Sequence, residues 1–178
     1  GGGGLIAGVA LALKALRPAV RVIGVQAEGA PAMAESFRAG TRCVVAEPRT
    51  IADGIRVGTP GERTFALVRA LVDEVVTVSD EEITDAVVQT LEKSKVVAET
   101  AGVAALAALA RKKFALRADE RVCAVVSGGN IDLNLLARLI ESGLARQGST
   151  HLLEVRIPDV PGQLHQILAL LAETRCNI

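Results

Sequence analysis

Aromatic residues are nearly absent from the sequence, which has three Phe and neither Tyr nor Trp among its 178 residues. A hydrophobic core must therefore be built from Ala, Val, Leu and Ile, and the hydrophobic half of the chain is large enough to supply one. Net charge is absent as well, because 20 Lys and Arg balance 20 Asp and Glu. Without a basic stripe interleaved with aromatics, the sequence predicts no nucleic-acid partner.

Long apolar runs and paired cysteines are also missing. No apolar run reaches the roughly 20 residues that span a bilayer, and no signal-peptide pattern is present, so the sequence predicts no membrane partner and a cytoplasmic location. The cysteines are odd in number, lie far apart and form no C-x-x-C motif: Cys43, Cys123 and Cys176. This pattern predicts free, mostly buried thiols rather than disulfides or zinc ligands.

Glycine, by contrast, is concentrated at the start of the chain, where Gly1–Gly4 precede an apolar segment with helical character from Leu5 to Leu16. A glycine turn that opens a helix directs free backbone N–H groups and the positive end of the helix dipole at one point. Such a point is an anion site, most often a phosphate site. The alternative without function is a disordered, glycine-rich terminus.

A dinucleotide site is a further interpretation of the same turn. Gly2-x-Gly4-x-x-Ala7 satisfies the loose fingerprint G-x-G-x-x-G/A, and Glu28 follows the next predicted strand, where a ribose-binding acid would lie. Because consecutive glycines satisfy many patterns, the residues alone leave both interpretations open.

Short runs of branched residues alternate with segments of helical periodicity along most of the chain. The pattern predicts strands at 20–25, 43–45, 75–78 and 121–126, and helices at 5–16, 31–39, 63–72, 79–95, 99–113 and 133–142. Gly40 is a plausible C-cap, and Ser79 with Glu82 fits a capping box. The alternation indicates an α/β fold with an open, mainly parallel sheet covered by helices.

A second glycine turn, Ser127-Gly128-Gly129-Asn130, follows the last of these predicted strands. In parallel sheets, ligands bind at the carboxyl ends of strands, near a switch point. Taken alone, however, the turn is better explained as a strand-to-helix connection in which Asn130 or Asp132 caps the next helix. Between the two turns, residues 47–60 are predicted to form a loop that crosses a surface or a cleft.

The composition changes after Gly143. Residues 146–150 form a polar linker, His151 to Ile157 alternate as a half-buried strand, and an amphipathic helix is predicted over 163–172. One strand and one helix cannot bury a core of their own, so we expect a truncated α+β module. The opening turn also lacks the strand that normally precedes a phosphate-binding turn, and we therefore expect a fragment that is open at both ends.

Taken together and in order, these segments resemble the threonine dehydratases (threonine ammonia-lyases), within the serine/threonine dehydratase family of fold-type II pyridoxal-phosphate enzymes. The segments are G-G-G-G-L-I-A-G, V-I-G-V-Q, I-A-D-G-I, L-V-D-E-V-V-T-V-S-D-E-E-I, K-V-V-A-E-T-A-G-V and S-G-G-N-I-D. The tail H-L-L-E-V-R-I-P-D-V-P-G-Q-L resembles the start of an ACT domain, a regulatory module that often binds amino acids. The resemblance implies the C-terminal part of a catalytic domain at 1–145, a linker at 146–150 and the start of an ACT-like domain at 151–178.

The resemblance also implies a function. The expected reaction converts L-threonine to 2-oxobutanoate and ammonia, with pyridoxal 5'-phosphate as cofactor. A homo-oligomer is expected, with an amino-acid effector at the ACT-like module. Within the same family the alternatives are a serine dehydratase or a serine racemase. From another class, the alternative is a non-catalytic, amino-acid-sensing protein in which the ACT-like tail is the functional part.

Roles for particular residues follow from the resemblance. The residues whose backbone N–H groups would bind the cofactor phosphate are Gly1, Gly2, Gly3, Gly4 and Leu5. The hydroxyl of Ser127 would bond the pyridine nitrogen. The family's Schiff-base lysine lies in an S-F-K-x-R-G type motif that this sequence lacks, so no catalytic residue is assigned and the chain alone is expected to be inactive. The lysines present are expected on the surface: Lys14, Lys93, Lys95, Lys112 and Lys113.

Related racemases hold a divalent metal at positions that align here with Gln26, Ala30 and Ala32. Because Ala32 offers no carboxylate, no metal site is predicted. Glu28 and Glu35 are expected to be surface charges.

Four further polar residues have two interpretations each. Asp53 and Glu99 lie in segments that strongly resemble the family, so either could approach the cofactor, but a turn residue and a helix-start charge are equally good interpretations. His151 and His165 flank the ACT-like strand and helix and are expected to be exposed or interfacial.

Overall fold

The computed structural model describes residues 1–146, 148 and 153–174. Its elements in chain order are α1 (Gly4–Leu16), β1 (Ile23–Ala27), α2 (Ala32–Ala39), a 3-10 turn (Asp53–Ile55), α3 (Glu62–Leu71), β2 (Glu74–Val78), α4 (Asp80–Gln89), a π-helical turn (Thr90–Ser94), α5 (Ala104–Ala110), α6 (Leu133–Arg146) and α7 (Gln163–Glu173). The predicted α/β class is confirmed, with a small parallel sheet and helices around it.

Strands β1 and β2 pair in parallel, from Ile23 opposite Glu74 to Ala27 opposite Val78. Successive side chains of a strand point to opposite faces, and here Val75 contacts one apolar cluster while Val76 contacts the other. The first cluster lies among α1, α2 and α3: Ala7, Ala10, Val22, Met33, Phe65, Val68 and Val72. The second includes residues of α4, α5 and α6: Ile83, Ala86, Val87, Ala104, Ala107, Ala108, Leu136 and Leu139. The sheet is therefore covered on both faces.

Helix α1 lies directly against β1 at Gly24. A Cβ added to Gly24 would lie 2.8 Å from Cδ1 of Ile6. Real Cβ atoms do not approach other heavy atoms so closely, so the absence of a side chain at Gly24 lets Ile6 of α1 pack against β1. The Ile6 side chain occupies the space that a side chain at Gly24 would need.

Local sequence signals at helix ends are confirmed. The Ser79 hydroxyl accepts the N–H of Glu82 at 3.2 Å, and the Glu82 carboxylate accepts the N–H of Ser79 at 2.9 Å, which completes the capping box. Helix α2 ends at Gly40, which adopts the left-handed conformation with φ 72°.

Several predicted elements are absent or shorter. The predicted strands at 43–45 and 121–126, and the described part of the one at 151–157, are irregular here. A strand needs a hydrogen-bonded neighbour, and in the part of the chain that the structure describes only β1 and β2 pair. The predicted helix at 99–113 forms only as α5, and the helix predicted to reach Lys95 passes into a π-helical turn after Gln89.

The two C-terminal helices form close to their predicted ranges. Helix α6 continues to Arg146, past the predicted end at 142, and α7 ends at Glu173, next to the predicted end at 172. His151 lies outside the described residues.

The described cysteines are free thiols, Cys43 partly buried and Cys123 exposed. The prediction of mostly buried thiols is therefore wrong for Cys123, because the irregular segment 121–126 leaves that side chain uncovered. Cys176 lies outside the described residues. Within the described ranges, none of the helices is long and apolar enough to cross a membrane.

Candidate active site

Both glycine turns line the same cleft. This cleft has a volume of about 1170 Å³, and Gly1–Gly4, Leu5 and Ser127 all contribute to its wall. Side chains of β1 and α5 line it as well. The structure therefore brings together all the residues that the resemblance assigns to cofactor binding.

The opening turn presents a row of backbone donors. Gly3 is the N-cap of α1 and has φ 91°, a conformation that favours glycine. The first N–H groups of a helix have no intrahelical acceptor. Among the described residues the N–H groups of Gly2 to Ile6 have no backbone acceptor, whereas the Ala7 N–H donates to the Gly3 carbonyl at 3.0 Å.

Space above this turn fits an anion. A Cβ added to Gly2 or Gly4 would meet no atom within 4 Å, so no described neighbour requires glycine there. Missing side chains instead leave the donors open to a group that approaches closely. The turn thus has the donor set and the room that a phosphate monoester needs.

The second turn is held by the segment that precedes α5. The Ser127 N–H donates to the Gly102 carbonyl at 3.3 Å, and the Glu99 N–H donates to the Gly128 carbonyl at 3.0 Å. A Cβ at Gly128 would overlap the Glu99 carboxylate. Among the described groups, the Ser127 hydroxyl has no hydrogen-bond partner and is available to a ligand.

A loop between the two turns forms a third part of the wall. Gly54 and Ile55 line the cleft, and Ile55 lies against Gly1. The Asp53 carboxylate accepts the N–H of Gly54 at 2.8 Å, which is the contact of a turn residue. Asp53 and Glu99 are not among the residues that line the cleft.

None of the lysines lines the cleft. Lys14 Nζ bonds the Val20 carbonyl at 2.8 Å and the Asp73 carboxylate at 2.9 Å. Lys113 pairs with Glu82 at 2.9 Å and with Glu28 at 3.7 Å, and these carboxylates, Glu82 first, raise the pKa of Lys113. Glu28 is therefore occupied by a surface ion pair.

The residues aligned with the racemase metal site have other partners. Gln26 is buried, and its side-chain oxygen accepts the Ala34 N–H at 2.7 Å. No cluster of three or more His, Cys, Asp or Glu within the described ranges could hold a metal ion. His165 is exposed on α7.

The family model for pyridoxal-phosphate dependent enzymes matches residues 1–128. The chain belongs to that family. Pyridoxal phosphate, not a nicotinamide dinucleotide, is therefore the cofactor of the family to which this chain belongs.

Two curated relatives that match the whole chain are L-threonine ammonia-lyases. This chain is 46% identical to the enzyme of Thermotoga maritima over 178 residues, and 43% identical to that of Geobacter sulfurreducens. Each match covers 100% of this chain and 44% of the relative. The chain thus spans less than half the length of these curated relatives.

Solved structures give the same fold. A threonine deaminase from T.th. is 39% identical with a TM-score of 0.66, covering 75% of this chain and 48% of that one. Maize serine racemase is 38% identical with a TM-score of 0.71, covering 83% and 46%. The fold is that of the fold-type II pyridoxal-phosphate enzymes, and this chain covers part of that fold.

Three residues hold the segments that form the wall of the cleft, and the sequence does not predict this role for them. They are Thr64, Asp80 and Glu99, of which Glu99 contacts the second turn. Thr64 bonds the Gly2 carbonyl from 62 residues away. Asp80 lies between the capping-box residues Ser79 and Glu82, and its carboxylate accepts bonds from Thr50 and Ile51. Contacts of such sequence separation leave no local pattern, so a single sequence offers no signal for them.

Proposed function

We propose that the protein to which this chain belongs is a pyridoxal-phosphate-dependent L-threonine ammonia-lyase that converts L-threonine to 2-oxobutanoate and ammonia. The observation that carries the proposal is the 46% identity to the Thermotoga maritima L-threonine ammonia-lyase along the whole chain. When bound, pyridoxal phosphate supplies an electron-withdrawing ring that assists loss of the α-proton and of the β-hydroxyl.

In this proposal the first glycine turn, with Leu5, holds the cofactor phosphate through backbone N–H groups, and Ser127 donates its hydroxyl hydrogen to the ring nitrogen. A neutral hydroxyl leaves that nitrogen unprotonated, whereas a carboxylate would keep it protonated. With its nitrogen unprotonated, the ring is a weaker electron sink. An elimination tolerates this, because the departing hydroxyl takes the negative charge.

The Ser127 role is tested in the full-length protein by Ser127→Ala and Ser127→Asp. We expect both variants to bind pyridoxal phosphate, and we expect Ser127→Asp to shift the visible absorbance as the ring nitrogen becomes protonated. A spectrum identical to the wild type in both variants would remove Ser127 from the ring site.

We also propose that residues 1–145 are the C-terminal part of the catalytic domain, and that a linker at 146–150 leads to an ACT-like domain from 151. The match to the catabolic L-threonine dehydratase of Escherichia coli extends over 140 residues, whereas the Thermotoga match extends over 178. This difference supports a separate C-terminal module. An amino-acid effector there, a homo-oligomeric assembly and a cytoplasmic location belong to the same proposal.

The chain alone is proposed to be inactive, because no lysine lines the cleft and a covalently bound cofactor needs a desolvated lysine. Expression of residues 1–178 by themselves should give no turnover, whereas the full-length protein should be active. Turnover by the isolated chain would contradict the assignment of the surface lysines.

A serine dehydratase or serine racemase is the second candidate, favoured by the similarity to the maize serine racemase structure. One experiment separates the candidates: the purified full-length protein is given L-threonine and L-serine, and 2-oxobutanoate, pyruvate and D-serine are measured. We expect a higher kcat/KM for L-threonine. A preference for L-serine, or D-serine as the main product, would replace the proposal with the second candidate, and no chemistry with either would favour the amino-acid sensor.

A further inference from the structure

The first glycine turn contains acceptors as well as donors. Each of its peptide groups has a carbonyl oxygen, and a carbonyl that faced a phosphate would repel it. A turn with so little side-chain restraint can rotate its peptide planes at low cost. An anion site built from glycine therefore needs something that holds the carbonyls away from the anion.

The Gly2 carbonyl is held from outside the cleft by two donors. The Thr64 hydroxyl donates to it at 2.5 Å, and the Gly61 N–H donates to it at 3.2 Å. Both donors lie at the start of α3, which packs closely against α1. Neither residue lines the cleft.

Thr64 also limits the space around the next peptide. A Cβ added to Gly3 would lie 3.1 Å from both Cβ and Oγ1 of Thr64, and 2.5 Å from Cε of Met33. Met33 and Thr64 therefore leave no room for a side chain at Gly3, which has φ 91°. The Thr64 side chain thus bonds the Gly2 carbonyl and, together with Met33, packs against Gly3.

We propose that Thr64 is a positioning residue for the phosphate site: by holding the Gly2 carbonyl, it fixes the peptide plane that joins Gly2 to Gly3, so that the Gly3 N–H, which points the opposite way, faces the cofactor phosphate. The inference rests on the proposed function of the cleft as a pyridoxal-phosphate site. Thr64 itself does not touch the cofactor. Its effect is confined to the phosphate end of the ligand, because the ring end is bounded by Ser127.

The experiment compares ligands with and without phosphate in the full-length apoprotein. Thr64→Val keeps the shape of the side chain and removes the donor, whereas Thr64→Ser keeps the donor. Dissociation constants are measured for pyridoxal phosphate and for pyridoxal, with inorganic phosphate as a competitor. Thr90→Val is the matched control, since the Thr90 hydroxyl also donates to a backbone carbonyl, that of Ala86, at 2.7 Å.

We expect Thr64→Val to weaken pyridoxal-phosphate binding about tenfold, as for loss of one directing hydrogen bond. Pyridoxal affinity should stay within about twofold, and inorganic phosphate should compete less well. Thr64→Ser and Thr90→Val should bind pyridoxal phosphate as the wild type does. If Thr64→Val does not fold, Thr64→Ala gives the same comparison.

Two results would overturn the inference: unchanged pyridoxal-phosphate affinity in the hydroxyl-free variant, or an equal loss for pyridoxal phosphate and pyridoxal, which a general loosening of the fold would produce. Failure of the proposed function has a different signature. In that case the wild-type protein itself would not bind pyridoxal phosphate.

Discussion

The Asp80 carboxylate accepts the hydroxyl hydrogen of Thr50 at an O–O distance of 2.5 Å. Its second oxygen accepts the N–H of Ile51 at 3.1 Å, and the Thr100 hydroxyl donates to the Ile51 carbonyl at 2.9 Å. The first residue of α4 thus anchors the loop that places Gly54 and Ile55 in the wall of the cleft. Helix α4 and the wall of the cleft are joined at this point.

Asp80→Ala should destabilise the protein, because it leaves the Thr50 hydroxyl and the Ile51 N–H without their acceptor. We expect a loss of about 1–3 kcal/mol in the free energy of unfolding, measured by urea denaturation. Glu92→Ala changes an exposed carboxylate and should stay within about 0.5 kcal/mol of the wild type. Equal losses in the two variants would contradict the anchoring role of Asp80.

Gly128→Ala should disturb the second turn, because the new Cβ would overlap the Glu99 carboxylate. We expect Ser127 to shift and pyridoxal phosphate to bind more weakly in the full-length protein, with an altered absorbance spectrum. The double variant Gly128→Ala/Glu99→Ala should recover part of the affinity, since it removes the overlap. No recovery would mean that Glu99 is not the obstacle.

Gly8→Ala is the control for Gly128→Ala, because it adds a Cβ at a position with open space around it. Gly8 lies inside α1, and a Cβ there would meet no atom within 4 Å. Alanine in a helix interior is favoured over glycine by up to about 1 kcal/mol. Urea denaturation should therefore give an unchanged or higher free energy of unfolding for Gly8→Ala.

The contribution of Asp73 to the free energy of unfolding should depend on pH. Its carboxylate accepts the Val22 N–H at 2.7 Å and pairs with Lys14 at 2.9 Å, and these contacts, Val22 first, lower the pKa of Asp73 below its ordinary value of 3.8. A group with a lowered folded-state pKa stabilises the protein above its unfolded pKa, and this contribution is lost as the pH falls through the folded value.

Asp73→Asn should therefore be less stable than the wild type at neutral pH and should approach it in acid. The side chain is 39% exposed, so the difference should be less than about 1 kcal/mol. Unfolding free energies measured from about pH 7 down to about pH 2 test this. A difference that grows with acidification would contradict the sign.

Ser79→Ala should cost about 1 kcal/mol of unfolding free energy, because the N–H of Glu82 loses its cap. Ser79→Gly should cost only a few tenths of a kcal/mol, since glycine is also accepted at an N-cap. Urea denaturation of the two variants separates the contribution of the Ser79 hydroxyl to the free energy of unfolding from the preference of the residue for the N-cap backbone conformation. A larger loss for glycine than for alanine would contradict the capping role.

Features encoded by neighbouring residues were predictable from the sequence. The capping box at Ser79 and the left-handed Gly40 depend on chemistry within a few residues, and both formed as expected. The turn of Gly1–Gly4 opening α1 and the placement of both glycine turns on one cleft agree with the resemblance to the family.

Features that depend on distant partners were not predictable in the same way. The apolar run at 121–126 has the composition of a buried strand, but composition does not supply a neighbouring strand, and the segment is irregular here. The Ala-rich run at 99–113 is helical only in α5, because the Gly102 carbonyl and the Glu99 N–H bond the second turn instead. The positioning role of Thr64 depends on a partner 62 residues away.

The contact between Gly24 and Ile6 links the interior of the protein to ligand affinity. A side chain at Gly24 would force Cδ1 of Ile6, in the first turn of α1, to move. In the proposed phosphate site, a substitution at Gly24 is therefore expected to act through Ile6, whose N–H belongs to the row of donors of the first glycine turn. A screen for tighter or weaker cofactor retention should return changes at Gly24 and Ile6, which line the cleft, as well as changes in the two glycine turns.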